Sequence, residues 1–225
     1  MTIGAFTIGQ SPRVDVTPEF QAALGVPAEL LQCGALDGLS AEEVEGLAPG
    51  PGDYLLVTRM RDGGEVRVAE ARIHERMRGC VETLEAAGVD LIVLFCTGEF
   101  PELRSRTPIL RPDLLLKRLV PGIMERGRLG VVLPSADQKE SQRKKWASTG
   151  LDLELEAASP YTGTETDFRA AARRLASRGA DLIVLDCIGF TERMKRVFRE
   201  ESGKPVILPR TLLGRVAGEL AGCVG

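Results

Sequence analysis

Gly179-Ala-Asp-Leu-Ile-Val-Leu-Asp186-Cys187-Ile-Gly189-Phe190 decides how this chain is read, because Gly88-Val-Asp-Leu-Ile-Val-Leu-Phe95-Cys96-Thr-Gly98 nearly repeats it. Both fit Gly-x-Asp-Leu-Ile-Val-Leu-x-Cys-x-Gly. A Leu-Ile-Val-Leu run is too short for a helix and suits a strand buried on both faces; the glycine after each cysteine permits the tight turn that ends such a strand. Each cysteine therefore stands at a strand's carboxyl end, the edge of an open parallel sheet where ligands bind. A single strand-end cysteine is ordinary core, since the residue is small, apolar and readily buried. A matched pair predicts a cleft with one thiol on either wall.

The repeat extends upstream. Before the second strand Phe168, Ala171, Ala172, Leu175 and Ala176 recur at helical spacing, and before the first Met77, Cys80, Val81, Leu84 and Ala87 do the same. Both units read helix, Gly, strand, Cys, turn.

At 225 residues the chain has ample material for one large or two small cores. A net charge of −3 offers no basic field for nucleic acid, and 4% aromatic residues give little for base stacking. No apolar run is long enough for a membrane span and no leader pattern opens the chain, so the expectation is a soluble, cytoplasmic protein. Five cysteines without Cys-x-x-Cys spacing indicate neither a disulfide framework nor a zinc ribbon, and reduced thiols are expected. His74 is the only histidine, which argues against a transition-metal site or a Ser-His-Asp triad; no metal or cofactor is expected.

Residues 3–8 read as a first buried strand, ending in the loop Gly9-Gln10-Ser11-Pro12-Arg13. Ser11 and the forked donor of Arg13 could orient a carboxylate there; the plain alternative is a rigid turn with a surface arginine. Thr17-Pro18 is read as N-cap and first helical residue, with Gly25 as the stop. Ser40-Ala-Glu-Glu43 and Ser135-Ala-Asp-Gln138 are capping-box patterns. Residues 54–59 and 65–69, joined through Asp62-Gly63-Gly64, predict a hairpin that serves as a lid over the cleft or as a pairing surface. Residues 112–124 predict a helix that Pro121 kinks or breaks, 129–133 a buried strand, and 151–157 an edge strand. Cys33 is assigned to core without chemistry, and Cys223 to an inert, frayed end. Crossovers near residue 119 and at Pro205 to Pro209 divide the chain into a first lobe, 1–118 with 206–225 and a hairpin insertion at 53–70, and a second lobe, 119–205.

The Gly9 to Arg13 loop, the 53–70 hairpin and Leu185-Asp186-Cys187-Ile188-Gly189-Phe190 resemble, in order, the motifs of the AroM family, over nearly the whole chain. More distantly the chain is similar to the aspartate/glutamate/hydantoin racemase superfamily, which includes maleate isomerases and arylmalonate decarboxylases. That resemblance implies an α/β fold of two Rossmann-like lobes with mainly parallel sheets, related by a pseudo-twofold axis, each supplying a catalytic cysteine. The turns depart from the racemase pattern: Cys96-Thr97-Gly98 and Asp186-Cys187-Ile188-Gly189 stand where racemases commonly show Cys-Asn-Thr and Gly-Cys-Thr, so amino-acid specificity does not transfer.

Two cysteines placed this way suit inversion of a stereocentre next to a carboxylate, which needs a base on one face and an acid on the other. Each sulfur should approach the carbon to about 3 Å, leaving the pair roughly 6 to 8 Å apart. Helix amino termini after Gly98 and Gly189 should stabilise the enediolate and lower the thiol pKa values, with Asp186 opposing if it lies beside the thiol. The expected function is a cofactor-independent racemase or epimerase of a small carboxylic acid with Cys96 and Cys187 catalytic. Gln10, Ser11, Arg13, Thr97, Gly98, Ser135, Ile188 and Gly189 are the expected substrate contacts. One-thiol isomerisation or decarboxylation, or non-catalytic carboxylate binding, are the alternatives, and a homodimer is the default assembly.

Overall fold

The computed structural model describes residues 1–222, so Cys223 lies outside the described residues. In chain order the first half gives β1 (Thr2–Thr7), α1 (Thr17–Leu24), β2 (Glu29–Gly34), α2 (Ala41–Glu45), β3 (Leu55–Arg59), β4 (Glu65–Ala69), α3 (Glu70–Ala86), β5 (Leu91–Leu94), β6 (Ile109–Leu110) and α4 (Pro112–Ile123). The second gives β7 (Arg128–Leu133), a 3₁₀ turn (Ala136–Gln138), α5 (Lys139–Ala147), β8 (Asp152–Ala157), α6 (Glu165–Ser177), β9 (Leu182–Leu185), α7 (Glu192–Ser202), β10 (Val206–Ile207) and α8 (Pro209–Ala221).

Two four-stranded sheets have orders β2-β1-β5-β6 and β10-β9-β7-β8, and every pairing within them is parallel. Read from its other edge, the second sheet repeats the first strand for strand, as the duplicated motif predicts. All four residues of β5 and of β9 are buried, the pattern of a strand covered by helices on both faces. Helices α3 and α6 bury Met77, Cys80, Val81, Leu84 and Phe168, Ala171, Ala172, Leu175 against their own sheets. Ala87 and Ala176, the last members of each pattern, fall outside the buried set, where the helices end.

The crossing segments tie the halves together. Helix α4 packs Leu116 and Val120 with Leu129 and Val131 of the second sheet, and α8 packs Leu213 and Ala217 with Ile3 of the first and Phe20 of α1. The chain returns with α8 itself, because β10 still pairs with β9. Gly214 and Gly218 let α8 lie against the backbone of α1, since a Cβ at either would collide with the carbonyls of Phe20 and Leu24. Pro121 stands in the last turn of α4, which stops two residues later. The hairpin β3–β4 is antiparallel and pairs with neither main sheet.

Three local expectations are corrected. Val16, not Thr17, occupies the cap of α1, and Thr17 is already helical; Gly25 does close it, at φ 74°. Ser135 accepts the Asp137 N–H and opens only a 3₁₀ turn, because the Gln138 side chain, needed for a reciprocal box, reaches the Leu55 carbonyl instead. Reduced thiols fail for Cys33 and Cys80, which form a disulfide from β2 to α3 with Cα atoms 5.5 Å apart. Each cysteine reads singly as a core position, and only the packing of α3 over β2 brings them opposite. No described helix is long and apolar enough to cross a membrane.

Candidate active site

The carboxyl ends of both sheets meet around a cavity of about 20 Å³, room for roughly one water. Cys96, Thr97 and Gly98 after β5, and Asp186, Cys187 and Ile188 after β9, line it from the two halves. The hairpin closes it with Leu56, Val57 and Thr58, and Gln138, Gln142 and Tyr161 complete the wall. The structure thus places the paired cysteines, Thr97, Gly98 and Ile188 around one cavity.

The two thiols have matching surroundings. Gly98 N–H donates to Cys96 Sγ and Gly189 N–H to Cys187 Sγ, each at 3.4 Å. A side chain lies over each glycine: Leu56 leaves no room for a Cβ on Gly98, and the Tyr161 ring would stand 2.6 Å from one on Gly189. These amides, expected to stabilise an enediolate, donate to the sulfurs instead. After Gly98 there is no helix, since the chain runs irregularly to β6; after Gly189, α7 begins at Glu192 behind its Thr191 cap.

The expected lowering of the thiol pKa values is also corrected. Burial pushes Cys96 up to about 12, with the Gly98 N–H and the Lys145 charge opposing too weakly. Cys187 is raised by burial as well, but Gly189 N–H, the Tyr161 hydroxyl and the Arg13 charge offset it. In this closed arrangement both are neutral thiols at neutral pH, and Cys187 carries more of the groups that favour a thiolate.

Arg13 reaches the site through another residue. Its guanidinium is buried, held bidentately by Asp15 at 2.8 Å, and donates to Thr7 Oγ1 at 3.0 Å and to Tyr161 Oη at 3.3 Å. Tyr161 Oη stands 3.8 Å from Cys187 Sγ. Burial, then the neighbouring Cys187, hold the phenol protonated well beyond the usual range despite Arg13. With its oxygen accepting from Arg13, its proton is free for the sulfur. Ser11 is bound to Asp37, and Gln10 to the Leu36 carbonyl and the Arg61 N–H, so neither lines the cavity. Ser135 lies beside a separate surface groove with Arg67 and Asp137.

Lys145 and Asp186 form a fully buried ion pair, and Trp146 Nε1 donates to the same carboxylate at 2.8 Å. Asp186 is thereby engaged on the side of α5. Arg210, at the start of α8, donates to the Ile188 and Gly189 carbonyls at 2.8 Å and to the Asp15 carbonyl at 2.8 Å, fastening the Cys187 turn to the first half. Among the described residues no cluster of three His, Cys, Asp or Glu side chains is placed to hold a metal ion.

Sequence reasoning missed Tyr161, Lys145, Gln142, Thr58 and the cavity role of Gln138. Two signals were available: Tyr161 is one of only two tyrosines, in a strand-end loop, and Gln138 and Gln142 stand four apart just after β7.

The family model for AroM protein matches residues 3–221. The chain belongs to the AroM family. Among curated proteins, none matches. Solved structures are similar to this AroM-family chain in fold. The aspartate racemase of Picrophilus torridus aligns with TM-score 0.59 and 12% identity over 99% of this chain and 95% of its own. An arylmalonate decarboxylase gives 0.61 and 14% over 100% and 94%. The maleate isomerase Iso of Pseudomonas putida S16 gives 0.58 and 16% over 98% and 93%. The AroM-family chain therefore has the two-lobed α/β fold of the racemases, as its sequence predicts.

Proposed function

We propose that this chain is a cofactor-independent isomerase of the racemase or epimerase type, acting on a small acid whose stereocentre adjoins a carboxyl or related carbonyl carbon. Cys96 and Cys187 are its proton acceptor and donor. One observation carries the reading: two buried thiols, each receiving a glycine N–H at 3.4 Å, line one cavity from the two halves of a duplicated fold. One cysteine, having lost its proton to solvent while the cavity is open, takes as thiolate the proton from the stereocentre. The electron pair moves onto the adjoining carbonyl as an enolate, and the opposite thiol returns a proton to the other face. Exchanging the roles runs the reverse direction. Burial that makes a thiolate costly also makes it a strong base once formed. Cys187, beside Tyr161 and Arg13, is the cysteine better supported as that base. The lobes that frame the reaction are proposed as residues 1–118 with α8, and 119–208; a homodimer and a cytoplasmic setting complete the proposal.

Deuterium uptake from solvent at Cα, followed by NMR over a panel of small chiral acids and their amides, tests the reading. Uptake should disappear in both Cys96→Ser and Cys187→Ser. Uptake that persists undiminished in both variants would remove the cysteines from the chemistry. A second reading is favoured by the Tyr161 and Arg13 support present only at Cys187: one-thiol isomerisation or decarboxylation, in which Cys187→Ser alone is inactive.

A further inference from the structure

The cavity wall contains buried polar atoms without partners. Thr58 Oγ1, Gln138 Oε1 and Gln142 Oε1 have no hydrogen bond, and all three residues line the space between the cysteines. They are 1%, 4% and 4% exposed. Native interiors seldom leave such atoms unpaired, so a cluster of them beside a cavity marks where a ligand's polar groups belong.

The partners of each side chain fix the direction of its missing bond. Gln138 Nε2 donates to the Leu55 carbonyl at 3.0 Å, and a carbonyl can only accept, so the amide cannot be turned round. Gln138 Oε1 is a fixed acceptor. Gln142 Nε2 meets Tyr54 Oη at 3.2 Å, a hydroxyl that tolerates either amide orientation. Thr58 can also donate or accept. Among the described residues no Lys, Arg or His lines the cavity. Arg13 is spent on Asp15, Thr7 and Tyr161, and the Lys145 ammonium on Asp186 and the Thr97 carbonyl. A carboxylate here would set lone pairs against a fixed carbonyl oxygen with no cation to balance it.

We infer that the cavity takes a ligand with a neutral, amide-type end, whose N–H donors pair with Gln138 Oε1, in preference to the corresponding carboxylate. The inference rests on the acid–base reading above only for which carbon reacts; the ligand class follows from the unpaired atoms. Gln142 then takes the remaining donor or the carbonyl oxygen. Gln138 is a specificity-determining residue, and its position between the hairpin and the cavity means that ligand binding and hairpin closure share one side chain.

Two matched pairs of probes test this: lactamide against lactate, and 2-methylmalonamide against 2-methylmalonate, each titrated into the full chain and observed by NMR. The amide member should bind at least about tenfold more tightly, the size of one satisfied against one unsatisfied buried hydrogen bond. Gln138→Met should abolish that ratio. Gln138→Glu, which keeps acceptor oxygens but gives up the Nε2–H bond to the Leu55 carbonyl and adds negative charge, should weaken both members and the carboxylate more, widening the ratio; it also serves if the Met variant folds poorly. Equal or tighter binding of the carboxylates, binding of none of the four, or a ratio indifferent to both substitutions overturns the inference. Cα deuterium uptake in the same samples reports on the reaction separately. Amide binding without cysteine-dependent uptake keeps the ligand class and removes the proposed chemistry, whereas uptake with preferred carboxylates keeps the chemistry and removes the ligand class.

Discussion

The ammonium of Lys145 lies 2.8 and 2.7 Å from the two carboxylate oxygens of Asp186, in a pair with no solvent exposure. The same ammonium donates to the Thr97 carbonyl at 2.7 Å. Asp186 immediately precedes Cys187 and Thr97 immediately follows Cys96, so one side chain from α5 sets the spacing of the two cysteine turns.

Removing that side chain should be costly in a specific way. Lys145→Met leaves the Asp186 charge buried with Trp146 as its remaining donor, and breaking a buried pair from one side costs about 3 to 5 kcal/mol. Lys145→Met/Asp186→Leu should recover part of the loss, since no charge is then stranded, though Trp146 Nε1 stays unpaired. Urea unfolding of the three proteins checks this. A single variant within about 1 kcal/mol of the parent would contradict a structural role for the pair.

The duplicated Gly-x-Asp-Leu-Ile-Val-Leu-x-Cys-x-Gly unit made the strands, their depth in the sheets and the position of both cysteines legible, because local hydrophobic runs and a turn glycine carry that information. What lay between the halves was not legible. Lys145 reads as one of many charges on a polar helix, and nothing local says that it is buried against Asp186, 41 residues on. Arg13 looks free until Asp15 and Tyr161 are seen around it. The helix expected after Gly98 fails for a similar reason: the copy of the motif ends at the turn, and Glu99 onward has no counterpart of the Thr191 cap that starts α7.

Alkaline pH should weaken the fold through the thiols. In the unfolded chain Cys96 ionises near 9.0, whereas in the fold burial holds it protonated to about 12. Between these values the unfolded state has lost the proton and the folded state keeps it. The stabilisation is therefore complete below pH about 9 and is lost progressively toward about 12, with a slope of at most about 1.4 kcal/mol per pH unit for each such group. Cys187, raised in the same direction, adds to the slope, as do the buried phenols of Tyr54 and Tyr161 above their ordinary value of 10.0. Urea midpoints measured from pH 8 to pH 11 should fall, and fall less steeply in Cys96→Ala. Identical slopes in the two proteins would mean that Cys96 is not buried as a neutral thiol.

Opening of the cavity should be governed by the hairpin. A space of about 20 Å³ holds about one water, far less than even a small acid needs, so a wall has to move. The sheets are the rigid walls, while β3–β4 pairs only with itself and is anchored to the first half through Leu56 and Val68 in its core, so the contacts it makes across the cavity are the ones that can part. Its links to the second half are few and polar. Arg67 pairs with Asp137 at 2.7 Å, Glu65 accepts from Ser159 Oγ at 2.6 Å, and Gln138 and Gln142 donate to Leu55 and Tyr54. The first of these is an exposed pair, worth about 1 kcal/mol or less to overall stability. Arg67→Ala/Glu65→Ala, which cuts both links from the hairpin side and leaves Ser159 Oγ holding the Tyr161 and Thr162 N–H groups, should therefore leave the melting temperature nearly unchanged yet raise the rate at which iodoacetamide alkylates Cys96 and Cys187, several-fold, as read by mass spectrometry of the intact chain. Both cysteines should respond together, because they share one cavity. Acceleration confined to one thiol would assign access to a different element, and no acceleration at all would make the hairpin a fixed wall.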